Sequence, residues 1–151
     1  MTTIAFDGRS MAADKQMNTG GMKHLNASSK IRRGLYRGRP ALYGGSGTTV
    51  FSAAVTEWLI AGEPEDKRPE LPGPEDTFTV IVATTSGVFE YIDSLRPIFL
   101  GDIPWAIGSG AEYAFGAMDA GACAKRAVEI ACGRDCSSGM GIDVLTLKRK
   151  T

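Results

Sequence analysis

Extended and helical patterns do not alternate along this chain but come in blocks, and that order limits the fold more than any single motif does. Residues 2–6 are β-prone, and Asp7-Gly8 reads as a tight turn that returns Ser10 to Ala13 beside them, with Asp14 at the strand end. Residues 17–29 are rich in Asn, Gly and Ser and read as irregular loop with short strand. Extended pieces follow at Lys30-Ile31, Leu35-Tyr36 and, after the Gly38 turn, residues 39–43.

Glycine-rich residues 44–49 then lead into residues 50–61, an amphipathic helix whose apolar positions Val50, Phe51, Ala54, Val55, Trp58 and Leu59 recur at helical spacing. Residues 62–76 hold four prolines and many charges, which reads as loop or linker. Residues 77–84 and 88–92 form a strand pair about Ser86-Gly87, and residues 105–107 form a short strand that ends at Gly108-Ser109-Gly110. The alanine-rich segments 111–120 and 124–132 favour helix and are separated by Gly121; residues 142–147 close the chain as a strand. Strand runs separated from helix runs predict an α+β protein with antiparallel sheets covered by helices on their outer faces.

A length of 151 residues suits one domain over 1–151 and needs no staple of metal or disulfide. Seventeen basic residues balance seventeen acidic ones, so net charge offers no attraction to nucleic acid or to an anionic membrane. The local cluster of Lys30, Arg32, Arg33, Arg37 and Arg39 reads as a solvated or intersubunit face. Three cysteines (Cys123, Cys132 and Cys136) are odd in number and read as small buried or half-buried thiols in a reducing cytoplasm. No apolar run has transmembrane length, and the start lacks the pattern of a signal peptide.

One histidine, His24, stands far from any orienting acid in sequence, which disfavours a histidine-based triad. A hydroxyl nucleophile must then find another base. Thr2 follows the initiator Met1, which is removed before small residues; removal leaves a hydroxyl and an amine on one residue. The amine titrates at about 7.7–8.0 and can take the hydroxyl proton near neutral pH.

Thr2-Thr3-Ile4, Asp14, Lys30, Ala106-Ile107-Gly108-Ser109-Gly110 and Arg134-Asp135-Cys136-Ser137-Ser138-Gly139 occur in an order that resembles the proteasome β-subunit family, the bacterial HslV peptidases included. The resemblance runs over nearly the whole chain. It implies a four-layer αββα sandwich of two antiparallel sheets, the Ntn-hydrolase fold. It also implies a threonine-type endopeptidase in which Thr2 attacks and its α-amine serves as base. Lys30 matches the active-site lysine and Asp14 its acidic partner, while Ser109, Asp135 and Ser138 match positions that hold the amine and a water. Read without the resemblance, Ser109 is a helix N-cap and Asp135 a loop acid. The family further implies cytoplasmic homo-oligomeric stacked rings, unfolded protein or peptide as substrate, an ATP-dependent unfoldase as partner, and no cofactor requirement. A sodium ion held by the backbone carbonyls of Cys132, Asp135 and Ser138 is a further implication.

Two departures from the family pattern stand out. An ungapped match puts Leu42 where relatives carry the glycine of the oxyanion hole; a small shift puts Gly44 or Gly45 there. Proline-rich residues 62–76 occupy the place of a second helix, so one outer layer is expected to lack it. A ring-forming subunit without catalysis and a small-molecule amidase of the same class are the other readings.

Overall fold

The turn expected at Asp7-Gly8 forms and folds Ile4–Phe6 (β1) back on Ser10–Asp14 (β2), with Ile4 opposite Ala13. The Asp7 carboxylate accepts the N–H groups of Arg9 and Ser10, and Gly8 adopts φ +98°, a left-handed conformation that glycine takes without steric cost. The computed structural model describes residues 2–26 and 28–148. After β2 come the two-residue strands Asn18–Thr19 (β3) and Met22–Lys23 (β4), then Ile31–Tyr36 (β5) and Arg39–Gly47 (β6). Helix Thr49–Ile60 (α1) leads to Phe78–Thr84 (β7), Gly87–Ile92 (β8), Ile98–Gly101 (β9) and Trp105–Ile107 (β10). Helices Ala111–Asp119 (α2) and Ala124–Cys132 (α3) precede the closing strand Ile142–Thr146 (β11).

Two antiparallel sheets result, ordered β10-β1-β2-β11 and β5-β6-β7-β8-β9, with β3 and β4 as a separate small hairpin. Their inner faces meet through Ile4, Phe6 and Met11 on one side and Leu42, Ile81 and Val88 on the other, all sealed from solvent. Each large side chain buried there contributes about 1.5–3 kcal/mol. Helix α1 covers the five-stranded sheet by packing Val55, Trp58 and Leu59 against Tyr43, Val80 and Val82. Helices α2 and α3 cover the other sheet through Ala114, Ala124, Ala127 and Val128 over Ala5, Ala12 and Ala106. Small side chains on both surfaces let these layers approach closely. The α+β expectation and its four αββα layers hold.

The outer layer beside α1 is short, as expected: between α1 and β7 the described chain has only a single 3₁₀ turn, Glu65–Lys67. The Trp58 indole N–H anchors this segment by donating to the Pro64 carbonyl at 2.9 Å. On the same sheet, Ile98 and Phe99 of the edge strand β9 remain more than half exposed.

Local expectations failed at several places. Val50 is 73% exposed, whereas Ser52 and Thr56 are buried on the α1 face with Val55 and Leu59. Buried hydroxyls are tolerated because Ser52 donates to the Thr49 carbonyl and Thr56 to the Ser52 carbonyl, so neither is orphaned. Strand β6 continues through the glycines to Gly47, because seven residues of it pair with β7, from Ala41 opposite Thr84 to Gly47 opposite Phe78. Sheet pairing outweighs the loop preference of Gly44-Gly45-Ser46-Gly47. Strand β9 had no periodic signal and exists through pairing with β8. Cys123 and Cys136 are exposed, and Cys132 is half-buried.

Candidate active site

The registers bring one end of the sandwich together. The entry to β1, the exits of β2 and β10, and the starts of β5 and β11 all lie there, since Ile4 faces Ala13 and Ile107, Asp14 faces Ile142, and Ile31 faces Gly44. Thr2, Asp14, Lys30, Ser109, Asp135 and Ser138 therefore meet at this end, although 133 positions separate Ser138 from Ala5 in the strand that carries Thr2 into the sheet. Thr2 and Asp14 are buried, with Asp14 fully sealed.

Asp14 is the hub. Its Oδ1 accepts the Thr2 hydroxyl at 3.1 Å, the Thr3 N–H at 3.0 Å and the Lys30 ammonium at 2.8 Å. Its Oδ2 accepts the N–H groups of Gln16 at 3.2 Å and Gly139 at 3.0 Å. With both oxygens committed to donors, the carboxylate is an anchor that fixes Thr2 and Lys30 relative to one another. Burial pushes the Lys30 ammonium below its ordinary range, an effect that its bond to Asp14 opposes but does not cancel.

A second chain of hydrogen bonds reaches Thr2 from the opposite side. The Thr2 backbone N–H donates to Ser109 Oγ at 3.2 Å, and Ser109 donates to Asp135 Oδ2 at 2.6 Å. The same carboxylate oxygen accepts the Ser138 hydroxyl at 2.6 Å, and Ser138 Oγ lies 2.7 Å from Thr3 Oγ1. Burial alone would raise the Asp135 carboxyl; hydrogen bonds from Ser109, Ser138 and the Ser137 N–H outweigh it and hold the group below the usual carboxylate range. Ser109 does not cap α2. Gly110 is the capping residue, and no side chain caps it. Cys132 lies nearby with its thiol pushed up to about 11 by burial, so it is a poor nucleophile at neutral pH.

Thr2 also borders a cavity of about 440 Å³ enclosed by β5, β6, the first half of α1 and the loop after β2. Arg32, Tyr43, Gly45, Ser46, Thr49 and Ser52 are among its walls, and sequence reasoning assigned none of their side chains to a site. Period-two spacing from Lys30 was the available signal for Arg32, since it sets both on one face of the strand. Leu42, the ungapped match to the oxyanion-hole glycine, is sealed in the core between the sheets and paired with Arg33 and Ala83. Gly44 also faces that core, where an added Cβ would lie 2.9 Å from Ile4 Cγ2. Gly45, unlike Leu42 and Gly44, lies on the cavity wall, as does Gly47 at the end of β6.

Gly108 is the second glycine on which the geometry rests. Its φ is +97°, and a Cβ there would stand 2.1 Å from the Thr2 carbonyl oxygen. Gly108→Ala is expected to cost at least about 1–3 kcal/mol in backbone strain and to displace Thr2. The check is a thermal melt alongside an assay of peptide cleavage; unchanged values in both would show that the Thr2 carbonyl is not held as described.

Among the described residues, no cluster of three or more His, Cys, Asp or Glu side chains could hold a metal ion. A hard cation at the turn after α3 would have to use backbone carbonyls, and that of Asp135 already accepts the Ser138 N–H at 3.3 Å, which leaves it one lone pair. Met1 lies outside the described residues. No helix among them is long and apolar enough to cross a membrane.

No protein-family model matches the sequence, and no curated protein matches it either. Solved structures do match in fold. HslV from Trypanosoma brucei shares 20% identity at a TM-score of 0.70, covering 98% of this chain and 99% of that one. BPH of Thiobacillus denitrificans in complex with epoxomicin shares 21% identity at a TM-score of 0.67, covering 99% of this chain and all of that one. A second structure of Thiobacillus denitrificans BPH gives 23% identity and a TM-score of 0.65, with 99% of each chain covered. The chain thus has the Ntn-hydrolase fold of HslV, and the resemblance read from the sequence holds at the level of fold.

Proposed function

We propose that the protein is a threonine-type endopeptidase of the proteasome β-subunit family, with Thr2 as nucleophile and its own amine as base once Met1 is removed. The observation that carries this reading is the double suspension of Thr2: its hydroxyl rests on the Lys30–Asp14 pair and its nitrogen on Ser109, at the edge of a cavity.

In this mechanism the hydroxyl proton passes to the amine, through water, while Thr2 Oγ forms a bond to the scissile carbonyl carbon. The Lys30 ammonium disfavours a second positive charge on that amine, which keeps it neutral and able to accept the proton. It also stabilises the developing alkoxide. The Gly45 N–H, whose bond to the Lys30 carbonyl is long at 3.5 Å, is a weakly engaged donor on the cavity wall and is assigned to the oxyanion. Collapse breaks the C–N bond, and the amine returns its proton to the leaving nitrogen. Water then hydrolyses the Thr2 ester and restores the hydroxyl. Ser109, Asp135 and Ser138 hold the amine and the water in line.

Cleavage should follow a bell-shaped pH profile. The amine must be neutral, so activity rises with pH through a value at or below about 7.7–8.0. Lys30 must be charged, and its folded-state value is depressed, so activity falls on the alkaline side before the ordinary lysine value of 10.5. A profile flat from pH 5 to pH 10 would remove both groups from the reaction.

The reading extends to cytoplasmic homo-oligomeric stacked rings that take unfolded protein or peptide as substrate and work with an ATP-dependent unfoldase. Exposed Ile98 and Phe99 on the edge strand support contact with a neighbouring subunit. A sodium ion on the Cys132, Asp135 and Ser138 carbonyls belongs to the same reading, and no step depends on it. The experiment that tests the function is treatment with epoxomicin followed by peptide mapping. An adduct on Thr2 is the expected result; an intact mass that retains Met1, with no adduct, would instead favour a ring subunit without catalysis.

A further inference from the structure

We propose that the cavity beside Thr2 selects an acidic side chain, so that the peptidase, if that reading of Thr2 holds, cuts after glutamate or aspartate. The cavity could hold one substrate side chain next to the reacting carbonyl, and the chemistry of its walls is lopsided. It is lined by two cations, Lys30 and Arg32, and by no carboxylate among the described residues. Lys30 is committed to Asp14 at 2.8 Å. Arg32 is held far more loosely. Its one ion pair among the described residues, with Glu57, spans 4.0 Å between side chains that are 53% and 71% exposed, a contact that solvent screens almost entirely. Its guanidinium can turn to a better partner at little cost.

The serine and threonine hydroxyls of residues 46–56 in the walls divide into two groups. Those of Ser52 and Thr56 donate to the α1 backbone, and Thr48 donates to Asp76 outside the cavity. Ser46 and Thr49 make no such bond among the described residues and line the same cavity as Arg32. The first turn of α1 opens on the same space with no acidic residue and no side-chain cap, so its dipole adds to the positive field. A carboxylate entering here gains a fork-shaped pairing with Arg32 and hydroxyl donors. An ammonium meets Arg32 as a like charge. An aliphatic side chain strips water from the hydroxyls and returns no hydrogen bond.

Binding can be measured without turnover in full-length Thr2→Ala protein, by fluorescence anisotropy of labelled peptides that differ only in the residue before the cleavage point. The glutamate peptide is expected to bind roughly ten- to a hundredfold tighter than the lysine peptide, with leucine between them. Adding Arg32→Gln should remove that preference, and Glu57→Gln should leave it in place, because the exposed Arg32–Glu57 contact holds the guanidinium only weakly. Equal or tighter binding of the leucine or lysine peptide, or a preference that survives Arg32→Gln, would overturn the assignment. Glutamate-selective binding that depends on Arg32, in a protein whose unmodified form cuts none of the peptides, would leave the cavity assignment standing and reject the peptidase instead.

Discussion

Thr2→Ala is expected to lower peptide cleavage by about three to six orders of magnitude while the protein stays folded. On the proposed reading the loss is large because, once Met1 is removed, no other described residue at this end combines a hydroxyl with a terminal amine and the Lys30–Asp14 pair. The fold survives because the main contacts of residue 2 are made by its backbone. Its carbonyl accepts the Gly110 N–H at 3.2 Å and its nitrogen bonds Ser109, and alanine keeps both. What disappears is one hydrogen bond to Asp14, about 0.5–1.5 kcal/mol, and Asp14 retains Lys30 and three backbone N–H donors. A fluorogenic peptide assay beside a circular dichroism melt reads both quantities. Thr2→Ser, which restores a hydroxyl at the same place, should recover a large part of the rate. Undiminished cleavage by the alanine variant would remove Thr2 from the chemistry altogether.

Asp14→Asn should do the opposite and damage structure as well as rate. The substitution keeps the shape but leaves the Lys30 ammonium, only 10% exposed, without its carboxylate. Breaking a buried pair by removing one partner costs about 3–5 kcal/mol. An amide also replaces one acceptor by a donor, whereas every group that now points at Asp14 is itself a donor. At about 2–4 °C per kcal/mol for a chain near this size, the melting midpoint should fall by roughly 6–20 °C. An unchanged melting midpoint would mean that Lys30 finds another anion and that the hub is not Asp14.

The site was legible residue by residue where a local pattern carried it. Thr2, Asp14 and Lys30 stand at strand ends that alternation and turn chemistry already marked, and it was the family resemblance that made Asp14 and Lys30 site candidates. Ser109 and Asp135 were ambiguous, since a serine before a helix and an acid after one suit caps and loops as well as catalysis. Their 2.6 Å bond across 26 positions removes the ambiguity of contact, and no sequence spacing encodes it. The cavity was illegible. Ser52 and Thr56 were passed over because polar residues are expected on the outer face of a helix, and Val50 was set inward for the converse reason. Burial of a hydroxyl depends on whether a carbonyl one turn back can accept it, which is a property of the packed helix.

What the sequence alone determined is the order of the helices and of the strands other than β9, and the small residues where layers touch, because periodicity, turns and propensity act over a few neighbours. The tertiary structure decided the hydrogen-bond partners of Asp14, which glycines of β6 reach the cavity, and how far that strand runs. Those outcomes depend on the register between segments remote in the chain. A shift of one residue would turn Asp14 to the opposite face of its sheet, and only the joint packing of two sheets and three helices selects against it.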